Sequence, residues 1–336
     1  MQIKERISWI DWAKFIGLCL VVYGHVPPTN SIDHTIIYSF HMPLFFLISG
    51  LFFVPEKWSL KNTTFQLLIP YVLLNIILVA ITICIDSLLS NKDCFVNMSN
   101  GLIGILLGTS DGEAPYRVIG GASWFLVALF IVRLNAKWLS RYSLVSQFLI
   151  VASQSVLFFI LDKQFKWLPW SLDSAVYGTL FFLVGYHFRH ILFDLIDKLK
   201  SKIFILLLGA ILVILSPVNG LVNMYEGNMG NLFLGFLFFG LAGSCFILSL
   251  SSFVKMRCPG FVKEIVIGAP ILICVHLFLL DYVILVYRKV IGVSLTSPIP
   301  LDFYEKFVVT LIVMFFSYIC IIMSNRYFPI LLGQKR

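Results

Sequence analysis

The stretch Asn231-Leu-Phe-Leu-Gly-Phe-Leu-Phe-Phe-Gly-Leu-Ala-Gly-Ser-Cys-Phe-Ile-Leu-Ser-Leu-Ser251 carries no charged side chain. A helix of about 20 such residues, rising about 1.5 Å per residue, covers the roughly 30 Å of a bilayer's hydrocarbon core. Its apolar residues run continuously, so the two-residue alternation of a barrel strand is absent. In lipid a backbone must satisfy its own polar groups, and a helix does this within one segment. The stretch therefore reads as a membrane helix.

Working outward, comparable stretches lie at 7–26, 36–54, 65–86, 120–135, 144–161, 174–189, 203–217, 265–287 and 305–324. The fold class expected is all-α, a polytopic transmembrane helix bundle of about ten spans. The 336 residues are 59% hydrophobic and 12% charged, about half the usual charged share of roughly 25%. Mean hydropathy is +0.94. These values exclude a soluble enzyme, a disordered chain and a disulfide scaffold. The longest connection, 87–119, is too irregular for a domain of its own, so a single membrane domain over 1–336 is expected. No internal repeat and no matched pair of broken helices is visible, which weighs against an inverted-repeat transporter.

Charge sets the expected orientation. Of the 25 Lys and Arg, seventeen fall in segments on the side of the N-terminus, seven on the other side, and Lys14 within the first span. Basic residues accumulate in cytoplasmic segments, so both termini are expected in the cytoplasm. The net charge of +8 then reflects topology and attraction to anionic membrane lipid, and needs no nucleic acid. There is no phosphate-cradling loop and no dinucleotide fingerprint. The seven cysteines are scattered without metal spacing, and no metal is expected. The first span holds Lys14 and no small-residue cleavage site follows it, so it reads as a retained helix.

Ionisable residues inside spans are costly and mark functional candidates. In the first span Asp11, Lys14, Leu18, Val21 and His25 are spaced 3, 4, 3, 4 and share one helix face. Asp11 and Lys14 can pair at i, i+3. Lys14 and His25 are about three turns, roughly 16 Å, apart. The alternative is that the charged pair snorkels at the interface and His25 merely ends a helix before Pro27-Pro28. His41 lies near the outer end of the second apolar stretch, with a kink expected at Pro43 and close helix packing at Ser49-Gly50. Ser123 and Trp124 open the fourth span, where Trp124 could equally be a belt anchor. His276 lies in the ninth span, followed by Asp281. Asn75, Asp86 and Asn231 add polar groups, and His187 and His190 read as interfacial. His34, in a short loop, carries no signal. The loop around Glu113 and Arg117 suits hydroxyl-rich ligands, or is a solvated turn.

Arg6-x3-Ile10-Asp11-x2-Lys14, then ten residues and His25, resembles the first-helix signature of the acyltransferase-3 membrane acyltransferases. Phe40-His41-Met42-Pro43-Leu44-Phe45-Phe46-Leu47-Ile48-Ser49-Gly50 is similar to that family's second-helix motif, in the form found in the sugar O-acetylase branch related to fucose 4-O-acetylases. Ser123-Trp124-Phe125-Leu126 and Cys274-Val275-His276-Leu277 occur in matching order. Relatives often carry arginines before the proline of the third helix, where this chain has Lys61 to Pro70.

The resemblance implies transfer of an acyl group, usually acetyl, from cytoplasmic acetyl-CoA to a hydroxyl of a glycan or lipid-linked sugar at the outer face. It implies a multi-pass protein of a bacterial inner membrane. On that reading His25 is the general base, with a ring suited to neutral pH, and His41 or a carboxylate orients it or shares the proton. Asp11 fixes Lys14, while Lys14 and Arg6 hold the anionic acetyl-CoA. Trp124 and Ser123 form part of the acceptor or thioester pocket, His276 supports it or serves as an alternative base, and Glu113 and Arg117 contact the acceptor. The rival expectation is a secondary transporter or exporter of a glycan or amphipathic metabolite, using the same residues as proton relays.

Overall fold

The computed structural model describes residues 6–88, 94–108, 120–165, 168–290 and 301–334. Fourteen helices follow one another among them: α1 Ser8–His25, α2 Ile32–Tyr38, α3 His41–Leu51, α4 Leu60–Thr63, α5 Ile69–Leu88, α6 Cys94–Leu107, α7 Trp124–Leu139, α8 Leu144–Phe165, α9 Leu172–Asp197, α10 Leu199–Leu215, α11 Phe233–Ser252, α12 Gly260–Ile267, α13 Ala269–Val290 and α14 Phe303–Tyr327. A two-stranded antiparallel hairpin, β1 Val222–Asn223 and β2 Asn228–Met229, joins α10 to α11. Nine helical segments among the described residues are long and apolar enough to cross a membrane, and the protein is a multi-pass all-α bundle. They correspond to nine of the ten expected spans. The first, α1, is a continuous helix of 18 residues, or roughly 27 Å; Asp11, Lys14 and His25 lower its hydropathy.

The second span departs from the expected single kinked helix. α2 and α3 are separate helices, broken at Ser39–Phe40, where Phe40 has φ −141° and ψ −16°. Pro43 does not cause the break. It sits in the first turn of α3, where a missing N–H costs nothing because that group has no partner within the helix. Local chemistry also ends α1. Val26 precedes a proline and turns extended (φ −73°, ψ 123°), as steric clash with the proline ring requires. The connection between the third and fourth spans, read as irregular, contains α6, which is held to α5 by Tyr71 Oη donating to Ile105 O at 3.0 Å.

The chain divides into two compact units. The first comprises Met1–Phe53, Leu180–Met224 and Asn228–Ile267. Glycines set its packing, since helices in lipid associate through close contact of small residues. A Cβ on Gly50 of α3 would fall 2.0 Å from Phe182 O, and one on Gly185 of α9 would fall 2.2 Å from Leu47 O. The expected close packing at Gly50 is thus a backbone-to-backbone approach of α3 and α9. Gly243 of α11 gives way in the same manner to the Phe40 ring. The second unit comprises Val54–Thr179, Tyr225–Gly227 and Gly268–Arg336. There α14 begins with a capping box, in which Asp302 accepts from the Glu305 N–H at 2.8 Å and Glu305 accepts from the Asp302 N–H at 2.7 Å. That pair satisfies two N–H groups left without partners at the helix start.

Candidate functional site

In the first unit the candidate side chains sit at the two ends of α1. At its start Arg6 is ion-paired with Asp11. The Asp11 side chain is 6% exposed and that of Arg6 is 43% exposed, so the carboxylate is buried and the guanidinium faces outward. Lys14 lies one turn further on, its Nζ 5.6 Å from the centroid of the Phe52 ring. Ser8 ties this end to the segment between α11 and α12, its Oγ accepting from the Cys258 N–H at 2.9 Å. Burial raises the Cys258 thiol pKa; the Asp11 carboxylate adds to the rise, and Arg6 and Lys263 oppose it. One carboxylate and two cations therefore act on the same buried thiol. Lys255 and Arg257, both exposed, lie on the segment beside it.

At the far end of α1 three histidines surround one tyrosine. The Tyr38 ring stacks on His34 at 3.8 Å between centroids, meets His41 at 4.7 Å and His25 at 5.8 Å. Each imidazole is fixed by a backbone carbonyl. His25 Nδ1 is 2.8 Å from Val21 O, His41 Nδ1 is 2.9 Å from Ile37 O, and His34 Nδ1 is 2.7 Å from Gly24 O. A carbonyl only accepts, so in the neutral ring Nδ1 carries the hydrogen and Nε2 the lone pair. That is the tautomer a general base needs at Nε2. His34 and His41 are buried, and His25 is half-buried. The turn that returns α2 to α1 is braced by Tyr23 Oη donating to Asp33 Oδ2 at 2.8 Å.

The second unit holds a different polar group. Asn75 and Ser123 are fully buried. Asn75 Nδ2 donates to Tyr71 O at 2.8 Å and to Ser123 Oγ at 3.1 Å, and its Oδ1 accepts from the Gly120 N–H at 3.2 Å. Only glycine fits at 120, since a Cβ would lie 2.8 Å from both Asn75 Oδ1 and Cys274 O. This pinch between α5 and α13 fixes Ser123 and Trp124 at the start of α7. His276 of α13 is fully buried, with Nδ1 2.8 Å from Leu272 O. The Trp124 ring packs on Tyr225 at 5.9 Å, tilted by 31°.

The structure thus brings His25 and His41 together, and Arg6 and Asp11 together, with Lys14 one helical turn from Asp11. It places Ser123 and Trp124 in a second group, with His276 on α13 of the same unit. Glu113 and Arg117 lie outside the described residues. Sequence reasoning missed Tyr38, Asn75's fixing role, Tyr225 and, above all, His34. The signal for His34 was its position between two other histidines, nine residues after His25 and seven before His41.

A family model described as an acyltransferase domain matches residues 7–324, nearly the whole chain. No curated protein and no solved structure matches it.

Proposed function

The chain belongs to this family of membrane acyltransferases, and from that premise we propose that it moves an acetyl group from acetyl-CoA to a hydroxyl of a glycan or lipid-linked sugar. The observation that carries the reading is the backbone-fixed tautomer of His25. With Nδ1–H held by Val21 O, the neutral ring presents Nε2 as a base with no reorientation. His25 would take the proton from the acceptor hydroxyl as its oxygen bonds to the acyl carbon, and would return it to the departing sulfur. Proton transfer by a positioned side chain contributes typically about 10²–10⁴-fold. His41 and Tyr38 would hold the His25 ring in place from the side.

The other end of α1 fits an anionic donor. Arg6 is part exposed although paired, and Lys14, Lys255, Arg257 and Lys263 add positive charge in the same unit. Arginine and lysine are the side chains suited to phosphate oxygens. Acetyl-CoA would supply the thioester-activated acyl group. Asp11 would orient Arg6, and Lys14 would carry a second phosphate contact. Ser123, Trp124 and His276 of the second unit would contact the acceptor. The basic-rich side of the bundle is the cytoplasmic one on this reading, in a bacterial inner membrane.

The test compares surface glycans from cells with and without the gene by mass spectrometry, alongside label transfer from radiolabelled acetyl-CoA by the purified chain in lipid nanodiscs. Acetyl esters that vanish with the gene, and label that moves to an acceptor hydroxyl, are expected. Unchanged glycans with no label transfer would overturn the reading, and donor-free uptake by proteoliposomes would favour a transporter.

A further inference from the structure

The segment between α10 and α11 carries the β1–β2 hairpin. Its hairpin is held in one shape by Asn219, whose Nδ2 donates to Met229 O at 3.0 Å and whose Oδ1 accepts from the Leu232 N–H at 2.9 Å. Gly230 is left-handed, with φ +76°, and a Cβ there would fall 2.3 Å from Asn219 O. At the tip of this stapled loop is Tyr225, which belongs to the second unit and packs its ring on Trp124. The ring is half-buried, yet its hydroxyl is shut away from solvent and has no hydrogen-bond partner among the described residues. A buried hydroxyl left in that state costs free energy, and such a group in a folded protein calls for a cause. Flexibility is a poor one here, because the loop is pinned on both sides of the tyrosine.

We infer that Tyr225, with Trp124 behind it, is a saccharide-binding and specificity-determining element for the acceptor, its hydroxyl uncovered as the acceptor displaces the side chains over it and then completed by a sugar hydroxyl. A tyrosine offers a flat apolar ring for the C–H face of a sugar and one group that both donates and accepts. The flanking side chains are of matching chemistry. Asn223, Glu226 and Asn228 lie within three residues of it, and the sequence from Val222 to Met229 holds no cation. The absence of cations there speaks against the phosphates of the donor. The inference rests on the glycan-acceptor reading above.

The probe is a set of oligosaccharides released from the envelope of host cells lacking the gene, so that their hydroxyls are unacylated. Initial rates of label transfer from acetyl-CoA are measured against oligosaccharide and against donor concentration, for the wild type and Tyr225→Phe in nanodiscs, with the melting temperature of each. Tyr225→Phe is expected to raise the acceptor KM up to about tenfold, the loss of one neutral hydrogen bond. The donor KM should not move. The melting temperature should hold or rise, because the substitution removes an unsatisfied buried group. An unchanged acceptor KM, a shift confined to the donor KM, or a lowered melting temperature with both constants altered would overturn the inference. If the wild type transfers no label to these oligosaccharides, the acceptor reading fails by itself. Calorimetric titration of the same oligosaccharides then decides the site, supported by binding that Tyr225→Phe weakens and overturned by equal binding or none.

Discussion

The two ends of α1 are built on different principles. At the Arg6 and Asp11 end an ion pair sits with one partner buried and the other outward, and the neighbouring segment adds exposed cations. At the His25 end every imidazole is buried or half-buried and tied by Nδ1 to a carbonyl. On the proposed function, the first arrangement would hold a charge for a ligand that arrives from water, and the second would fix the tautomer that proton transfer demands. One helix would then separate binding from chemistry along roughly 21 Å, taking 14 residues from Asp11 to His25 at about 1.5 Å each.

The comparison breaks first at His25. His25→Gln keeps a polar side chain of similar reach but cannot act as a base, and turnover at saturating substrates should fall by about 10²–10⁴-fold. The next effect belongs to Tyr38. Tyr38→Leu removes the ring that three histidines share, and turnover should drop about tenfold or more, a loss expected when positioned groups are misplaced. Tyr38→Phe keeps the ring and should stay within a few-fold of wild type. Steady-state rates on both variants check this, and a Phe variant as poor as the Leu variant would place the role in the hydroxyl.

At the charged end effects should be smaller and of another kind. Lys14→Ala should raise the donor Kd several-fold with turnover little changed, and the difference should shrink as salt is raised, because mobile ions screen such contacts. Titration of donor at two ionic strengths measures it. The smallest effect concerns Cys258, whose thiol is held up by burial and then by the Asp11 carboxylate. Its pKa therefore falls when that negative charge is removed. In Asp11→Asn more thiolate exists at a given mildly alkaline pH, and alkylation of Cys258, followed on its peptide by mass spectrometry, should speed up. An unchanged rate would mean that Asp11 does not act on the thiol.

The bundle was legible in the sequence because a lipid environment leaves long apolar helices as the simple solution, and continuous runs such as 231–251 need no tertiary information. His25 and His41 were legible because their spacing within and between helices carries a recognisable pattern. A kink was expected at Pro43, but a proline in a first turn is tolerated and the chain breaks instead at Ser39–Phe40, before His41. His34 offered only its position between two other histidines, and its contact needed tertiary information. His25 and His41 each bond to the carbonyl four residues back in sequence, whereas His34 reaches Gly24, ten residues away across the turn. Asn75 and Gly120 are 45 residues apart and share a hydrogen bond, and no local pattern encodes such a pair. Tyr225 was hidden likewise, since a tyrosine in a polar hairpin looks like any other until its neighbours are known.

The central claim is that α1 divides donor binding from proton transfer, and it is tested most directly by Lys14→Ala, His25→Gln and their double variant in nanodiscs, with donor Kd and single-turnover rate measured on each. The account expects Lys14→Ala alone to weaken donor binding, His25→Gln alone to slow transfer at saturating donor, and the double variant to combine the two. Transfer by His25→Gln at the wild-type rate, or a loss of donor affinity in it equal to that of Lys14→Ala, would contradict it.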